Sequence, residues 1–517
     1  MRFKPGTVLA CVLLQAIVGA VVADPAQATV DSLSSARLQY EDAVQAIDRG
    51  HWTEYQQLRS GLEDYPLAVY LDYNSLTRRV DKVRPPEAQR FLESSADTPL
   101  PNRFLSVYLH RAGKQRRWQD YLAVMPREPN SIELKCYYFR ARLAQGDRAA
   151  AWEGAERLWV HGQSRPKACD PLFEAWLSAG ELSDGVVWAR LIEAFEARQS
   201  SLMKYVARQG SEALQPWSDR LLEVYRKPDQ MRRQKLPPGK AYSADIARLG
   251  VARLARYNPE LALDYWEEYR EELEFTLEYS REVEYAIARS ALLSETGSLA
   301  LWLHEALARL EDDKLVEIRL RWALADQDWQ GLEQTLALLS ETRRADSVWR
   351  YWTADILHRQ GEREAAHAIW EELATERGYY SFIAADRLGQ PYAFNHEPLD
   401  KSAPVSVPLR ELPAVQRIGE LHFHDEPSLA HSEWHKVLQE REDTVERQQL
   451  AYLAHQQGWH RLAIDAANKA EAWNALDLRF PLAYRETFDR FSGVQQVPST
   501  ELMAIARRES AFFPEVR

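Results

Sequence analysis

The chain has no excess of positive charge: 65 Lys and Arg stand against 77 Asp and Glu, a formal net charge of −12. This balance argues against general affinity for nucleic acid or for an anionic lipid surface. Long alternating runs of β-branched residues are also absent and helix formers dominate, which predicts an all-α protein. Glycine is scarce, at 21 of 517 residues, while 45% of the residues are hydrophobic. Such a composition is typical of a folded chain rather than a disordered one.

Motifs for cofactors and metals are missing as well. The sequence has no P-loop, dinucleotide-binding glycine motif, G-x-S-x-G elbow or EF-hand loop, so we predict no cofactor. Of the neighbouring histidines His422, His424, His431 and His435, only the last two share a helical face. No acidic residue completes a set such as H-E-x-x-H, so we predict surface or packing roles and no metal site.

The first 23 residues have the pattern of an export signal. Arg2 and Lys4 precede an apolar run from Val8 to Ala23, and small residues at positions such as Ala28 follow it. The run is short for a membrane span, which needs about 20 apolar residues. Removal of residues 1–23 takes away two positive charges and no negative ones, so the mature charge is −12 − 2 = −14. With no second apolar segment of spanning length, we expect a periplasmic protein without a transmembrane segment.

Only Cys136 and Cys169 remain once Cys11 leaves with the signal. Because export places the chain in an oxidising compartment, a disulfide between them is expected. The alternative, two buried free thiols, stays open. A zinc site would need further ligands at suitable spacing, and none is evident.

Residues 33–390 repeat the pattern of a helical hairpin. A helix-like run ends near a glycine, at Gly50, Gly146 or Gly361 for example, and a second amphipathic run follows. Each hairpin is too small to bury its own apolar face, so neighbours must stack. The period drifts too far for a tetratricopeptide array, and the pattern predicts an irregular α-solenoid over residues 24–392.

The stretch PSTELMAIARRESAFFPEVR at 498–517 predicts a helix that Ser499 or Thr500 caps and that ends before Pro514. Spacings of three and four place four residues on one face and turn Arg507 and Arg508 away; the four are Leu502, Ile505, Ala506 and Glu509. Burial would raise the pKa of the Glu509 carboxyl, which could then donate a proton to a leaving oxygen near neutral pH. The alternative places Glu509 at the edge of the apolar stripe, against an arginine or water.

The string AIARRESAF resembles the first helix of the catalytic domain of soluble lytic murein transglycosylases, in which an A-x-x-R-x-E-S-x-F pattern carries the catalytic glutamate. The resemblance implies that Glu509 is catalytic and Ser510 supports it in the motif. LKCYYFRARLAQGD and ACDPLFEAW resemble the paired-cysteine segments of that family. GYYSFIAADRLGQPY at 378–392 resembles the end of its ring-forming helical domain, and we expect Tyr379, Phe382, Ile383 and Leu388 to pack inward there.

The same resemblance extends over nearly the whole chain and implies a domain order. A superhelical domain that can close into a ring spans 24–392, a Pro-rich connection 393–412, a helical linker domain 413–492, and the start of a lysozyme-like domain 498–517. The Gly-rich segment that follows in the family is not present, so we expect the 517-residue chain alone to be inactive.

The implied activity is cleavage of the β-1,4 bond between N-acetylmuramic acid and N-acetylglucosamine, with a 1,6-anhydro product. Glu509 would serve as acid and then as base, and peptidoglycan glycan strands and cell-wall enzymes would be the partners. A different class of function stays open: a non-catalytic periplasmic α-solenoid scaffold that binds peptidoglycan or protein partners.

Overall fold

The computed structural model describes residues 25–398 and 405–515. Within these ranges the regular structure is α-helix with three short 3-10 helices, and no strand occurs, which confirms the all-α prediction. No helix in these ranges is both long and apolar enough to cross a membrane. The predicted signal peptide, residues 1–23, lies outside the described residues.

Fifteen helices lie in the first part of the described chain, residues 25–293. They are α1 (Pro25–Arg49), α2 (Trp52–Ser60), α3 (Ala68–Arg78), α4 (Pro85–Ser94), α5 (Leu100–Lys114), α6 (Trp118–Val124), α7 (Ile132–Ala144), α8 (Arg148–Trp159), α9 (Asp170–Ser178), α10 (Asp184–Glu196), α11 (Ser200–Ala207), α12 (Gln215–Arg226), α13 (Ala241–Ala255), α14 (Pro259–Glu272) and α15 (Leu277–Leu293).

The remainder of the described chain, residues 294–398 and 405–515, has fifteen more. They are α16 (Ala300–Leu310), α17 (Asp313–Ala325), α18 (Trp329–Leu336), α19 (Glu341–Arg344), α20 (Ser347–Gln360), α21 (Arg363–Ala374), α22 (Tyr379–Leu388), α23 (Val407–Arg410), α24 (Pro413–Phe423), α25 (Pro427–Glu440), α26 (Thr444–Gln456), α27 (His460–Lys469), α28 (Leu476–Arg479), α29 (Arg485–Gln495) and α30 (Ser499–Ser510). The 3-10 helices are Lys167–Cys169, Pro228–Arg233 and Gly297–Leu299.

The chain divides into two structural units, each made of two separate segments. The first unit holds the described residues up to 108 together with 406–442, and the second holds 109–405 with 443–515. In the first unit, the Arg37 guanidinium of α1 donates to both carboxylate oxygens of Glu420 in α24, at 2.9 and 2.8 Å. Helices far apart in the sequence are therefore joined by charged contacts as well as by apolar packing.

In the second unit, many consecutive helices pack against each other in pairs. The pairs include α7 with α8, α10 with α11, α13 with α14, and α20 with α21. Helix α20 ends at Gly361 in the left-handed conformation, with φ of 92°, which a residue without a side chain adopts at least cost. Gly50 and Gly146 follow helix ends with φ of 74° and 87°. These positions confirm the helix ends predicted at the three glycines.

Cys136 of α7 and Cys169 form a disulfide, and their Cα atoms lie 4.8 Å apart. Both residues are fully buried. Because Cys169 immediately precedes α9, the bridge attaches the start of α9 to the middle of α7.

Helix α22 packs with Ile383 and Leu388 against the neighbouring apolar cluster, as predicted, but its first tyrosine does not follow. Tyr379 is 73% exposed, whereas Ser381, Ala384 and Ala385 are buried. These three small side chains allow α22 to approach its neighbours closely, and a buried tyrosine ring would keep them further apart. The prediction that Tyr379 packs inward is therefore wrong.

Candidate functional site

Helix α30, which carries the predicted catalytic residue, begins without a side-chain cap. The residue before its first turn is Pro498, whose carbonyl oxygen accepts from the backbone N–H of Glu501 at 3.0 Å. Ser499 and Thr500 lie inside the helix, and no side chain caps it. The predicted cap is therefore wrong, because the helix starts one residue earlier than a serine or threonine cap requires.

The buried face of α30 is centred on Met503. Met503 packs with Ile464 of α27, Ala483 and Phe512 in a small apolar cluster. Residues three and four positions further on, Ala506 and Arg507, are half-buried, as is Ser510. Ile505, which was predicted to face inward, is 60% exposed. The apolar face is thus displaced by one residue from the predicted one.

This displacement places Glu509 on the exposed side of the helix. Its carboxylate has no hydrogen bond or ion pair with any described residue. The predicted burial of Glu509 is wrong, and so is the outward orientation of Arg507. Arg507 donates from Nε to the carbonyl oxygen of Arg479 at 2.5 Å and lies 5.2 Å from the ring centroid of Phe480. Burial, together with the nearby charge of Arg479, lowers the pKa of Arg507.

The turn that carries Glu509 is held by its neighbours. Ser510 donates from Oγ to the Ala506 carbonyl oxygen at 3.0 Å, and its own carbonyl oxygen accepts from Arg461 Nη1 at 2.9 Å. Ala511 and Phe512 then adopt left-handed φ values of 50° and 64°. This backbone carries a strain that the burial of Phe512 offsets. The helix end is therefore fixed, while the Glu509 carboxylate faces outward and has no protein partner in the described chain.

The histidines of the linker region do not assemble a metal site in the described residues. Within 25–398 and 405–515, no three His, Cys, Asp or Glu side chains lie close enough together to hold a metal ion. His424 instead contacts the Tyr65 hydroxyl through Nε2 at 2.8 Å and lies 3.4 Å from a Glu41 carboxylate oxygen through Nδ1. Burial is the main cause that lowers the pKa of His424, and the nearby carboxylates oppose it.

A buried carboxylate that was not predicted from the sequence lies in the first unit. Glu433 of α25 is 0% exposed, accepts from the Tyr70 hydroxyl at 2.8 Å, and accepts from Arg417 Nη2 at 3.0 Å. Arg417 also donates to the Asp97 carboxylate at 2.8 Å. Burial raises the pKa of Glu433, and the hydrogen bond and charge of Arg417 oppose that rise.

The signal for this group was present in the sequence. Glu433 falls three and four positions from Ala430 and Val437, both buried in α25. The arrangement predicted for Glu509, a carboxylate in line with a buried apolar stripe, occurs at Glu433 instead. The pattern alone does not predict the arginine partner of Glu433, because Arg417 lies in a different helix.

Comparison with known proteins gives the family. Residues 408–476 match the family model described as the soluble lytic murein transglycosylase L domain. The soluble lytic murein transglycosylase of Escherichia coli K12 is 30% identical over 494 residues, which cover 95% of this chain and 76% of the relative. The enzyme of the same name from Salmonella typhimurium is 30% identical over 493 residues, with the same coverage.

Solved structures agree with this result. The crystal structure of the 70 kDa soluble lytic transglycosylase of Escherichia coli matches with a TM-score of 0.81 and 28% identity, over 94% of this chain and 78% of that one. An inactive mutant of the lytic transglycosylase of Pseudomonas aeruginosa, with a glutamine in place of a glutamate, matches with a TM-score of 0.75 and 31% identity, over 93% and 78%. The fold is thus that of the helical lytic transglycosylases. The chain belongs to the soluble lytic murein transglycosylase family.

Proposed function

We propose that this protein is a peptidoglycan lytic transglycosylase that is exported to the periplasm. The observation that carries the proposal is the 30% identity to the Escherichia coli enzyme over 95% of this chain. A signal of residues 1–23 would direct the export, and glycan strands of the cell wall would be the substrate. The predicted domain boundaries, and cell-wall enzymes as partners, stay predictions.

The proposed reaction cleaves the β-1,4 bond between N-acetylmuramic acid and N-acetylglucosamine. Glu509 protonates the glycosidic oxygen as the bond to C1 breaks, and the resulting carboxylate then takes the proton of the muramoyl C6 hydroxyl. The C6 oxygen bonds to C1 and closes a 1,6-anhydro ring. Because the attacking group belongs to the substrate, one carboxyl is sufficient, whereas ordinary glycosidases use two to activate water and protonate the leaving group.

Because Glu509 is exposed, the protein itself does not shield its carboxyl from water. A general acid must hold its proton near the working pH, and burial is what raises a carboxyl pKa. Since Glu509 is exposed, we propose that bound glycan covers its carboxyl and excludes water from it during turnover. The free orientation of the side chain and the fixed turn around Ser510 support this role. Ser510 acts as a positioning residue through its hydrogen bond to the Ala506 carbonyl oxygen.

The first prediction concerns Glu509→Gln in the protein as its own cell produces it. The substitution keeps the size of the side chain and removes the acid, so the rate of anhydro-product release should fall about 10²–10⁴-fold. Release of anhydromuropeptides from purified murein, followed by mass spectrometry, measures this. Glu501→Gln is a matched control, because Glu501 is also an exposed glutamate of α30.

Two outcomes would oppose the proposal in different ways. Equal turnover by the Glu509→Gln and unchanged proteins would remove Glu509 from the reaction. Binding of glycan strands without any anhydro product would favour the scaffold, which the exposed position of Glu509 keeps open as the second candidate function.

A further inference from the structure

A cleft that shares no residue with α30 lies in the second unit among α8, α9, α10 and α11. It has a volume of about 400 Å³ and mixes aromatic, cationic and acidic side chains. Trp159 and Phe173 supply apolar surface, and Tyr205 of α11 closes a further side. Two arginines, Arg165 and Arg190, face the same space.

Arg190 is the unusual member of this group. Its side chain lies over the Trp159 ring, with Cζ 4.3 Å from the ring centroid, and the residue is only 4% exposed. No carboxylate pairs with it in the described chain, and its Nε has no hydrogen-bond partner there. A buried charge without a partner costs several kcal/mol of folding free energy, so it is rare unless a function retains it.

Other buried arginines of this protein show how the chain normally treats such groups. Arg248 is 4% exposed and forms ion pairs with both Glu196 and Glu282. Arg417 is 5% exposed and pairs with Glu433 and Asp97. Arg190 is equally buried and has no such partner, which makes it the exception among these three.

Arg165 adds a second positive charge to the cleft. It donates from Nε to the Leu158 carbonyl oxygen at 2.7 Å and forms no ion pair with a described residue. Burial lowers the pKa of Arg190 to about 10, with Tyr205 opposing the change and Arg165 adding to it. Burial also lowers the pKa of Arg165, which the charge of Glu193 opposes. Two arginines without carboxylate partners in the described chain thus face one side of the cleft, where an anionic group of a ligand would pair with them.

The rim of the cleft has the opposite charge. Asp170 and Glu174 are exposed residues of α9 and line the same space. A ligand with an anionic group near the arginines and a cationic group near these two carboxylates would satisfy both ends. A simple anion such as phosphate would satisfy the arginines and be repelled by α9.

The walls of the cleft are held in place. The disulfide to Cys136 ends at Cys169, directly before Asp170, and attaches that end of α9 to α7. On the other side, Gly162 allows the loop after α8 to contact α10. A Cβ at this position would lie 2.4 Å from the Glu193 carbonyl oxygen, so no larger residue fits. The disulfide and this close contact thus hold two walls of the cleft in place.

We propose that this cleft binds a zwitterionic amino acid or a zwitterionic short peptide such as a dipeptide. The carboxylate accepts hydrogen bonds from Arg190 and Arg165, which suit a planar carboxylate. The ammonium group lies near Asp170 and Glu174, and the side chains of the ligand pack against the exposed ring of Tyr205. This inference does not depend on the transglycosylase reaction, because it uses no residue of α30.

Isothermal titration calorimetry with L-alanyl-L-alanine tests the proposal on the complete protein. We expect saturable binding of the free dipeptide and at least about tenfold weaker binding of the dipeptide with an amidated carboxyl end, because a charge-assisted hydrogen bond is lost. The N-acetylated dipeptide should also bind more weakly, since it has no ammonium group. Sodium acetate should compete only weakly.

The variant Arg190→Met removes the charge and keeps an apolar stem over Trp159. It should abolish dipeptide binding and leave the melting temperature of the free protein unchanged or higher, because an unpaired buried charge is removed. Arg253→Met is the matched control. Arg253 also lies over an aromatic ring, at 3.8 Å from the ring centroid of Tyr225, but does not line this cleft, so binding should be unchanged.

Several results would overturn the proposal. They are absence of dipeptide binding at millimolar concentration, unchanged binding by Arg190→Met, and equal affinity for the free and amidated dipeptides. Acetate binding as tight as dipeptide binding would show a general anion site instead. A lower melting temperature for Arg190→Met without ligand would show that the arginine serves the fold.

Discussion

Two buried carboxylates of the first unit show how single residues respond to their partners. At Glu420, burial raises the pKa, but hydrogen bonds from Arg37 and Tyr65 oppose it more strongly, so the pKa lies below the usual value of 4.5. At Glu433 the balance is reversed, and burial raises the pKa despite Arg417. The ionised form is favoured at the first position and disfavoured at the second, although both carboxylates contact an arginine.

The sign of each shift sets how stability varies with pH. A carboxyl with a lowered pKa in the folded state stabilises the protein above its unfolded pKa, and this contribution disappears as the pH falls through the folded value. A carboxyl with a raised pKa in the folded state has the opposite effect. As the pH rises from its unfolded pKa to its folded pKa, the free energy of unfolding falls. Glu420 and Glu433 therefore act in opposite directions in mildly acidic solution.

The second prediction follows for Glu420→Gln. The unchanged protein should have a higher free energy of unfolding than the variant at pH 7, and the difference should shrink as the pH falls below about 4.5, where Glu420 takes up a proton. Urea denaturation across this range measures the difference. Glu93→Gln alters an exposed residue of α4 and should change the free energy little at any pH. A difference that grows on acidification would mean that the pKa of Glu420 is raised rather than lowered.

At the level of elements, α30 shows how a helix selects its buried face. Its sequence offers two adjacent faces that share Ala506, one with Leu502 and Ile505, the other with Met503. The second face is the one that packs, since Met503 enters the apolar cluster with Ile464 and Phe512. Arg507 accompanies it, because its guanidinium reaches the Arg479 carbonyl oxygen. With Met503 packed and Arg507 bonded in this way, Glu509 lies on the exposed side of the helix.

The third prediction compares two substitutions on this helix. Met503→Ala removes a side chain that is 8% exposed and should lower the free energy of unfolding of this region by about 2 kcal/mol, the low end for buried methionines because the cluster is small. Ile505→Ala removes a side chain that is 60% exposed and should change it by less than about 0.5 kcal/mol. Hydrogen exchange of the α30 amides measures both. The reverse order would mean that the predicted face is the buried one.

At the scale of the whole molecule, the first unit depends on two distant segments of the chain. Residues 109–405 separate its amino-terminal helices from residues 406–442. The segments are joined by the Tyr70 hydrogen bond to Glu433, by the pair of Arg417 with Asp97, and by the donation of Arg103 to the Ser432 hydroxyl at 2.8 Å. These contacts form only when both segments are folded, so the two should gain and lose structure together.

The fourth prediction is that Arg417→Ala destabilises both segments of the first unit. Glu433 would remain buried without its cationic partner, a change that typically costs about 3–5 kcal/mol. Hydrogen exchange with mass spectrometry should show faster exchange in both 33–108 and 406–442. Lys436→Ala, which breaks an exposed pair with Glu440 on the same helix as Glu433, should have an effect of less than about 1 kcal/mol. Faster exchange in one segment alone would contradict the coupling.

Much of this protein was determined by local sequence. Helix formers and the missing strand pattern specify an all-α chain, and glycines such as Gly361 mark helix ends because they adopt left-handed backbone at little cost. The string AIARRESAF was enough to suggest the family, since it is a pattern of residue types at fixed spacing. The domain boundaries and the role of Glu509 stay predictions.

Other features were decided only by the tertiary structure. Helical periodicity gives the spacing of an apolar face but not which of two adjacent faces is buried, because that depends on the surface it meets. For this reason Glu509 is exposed while Glu433, in a similar pattern, is buried. Local sequence likewise predicts neither the ion pairs of Arg417 nor the lack of a carboxylate partner for Arg190 in the described chain. Electrostatic pairing depends on distances between residues that only the folded chain establishes.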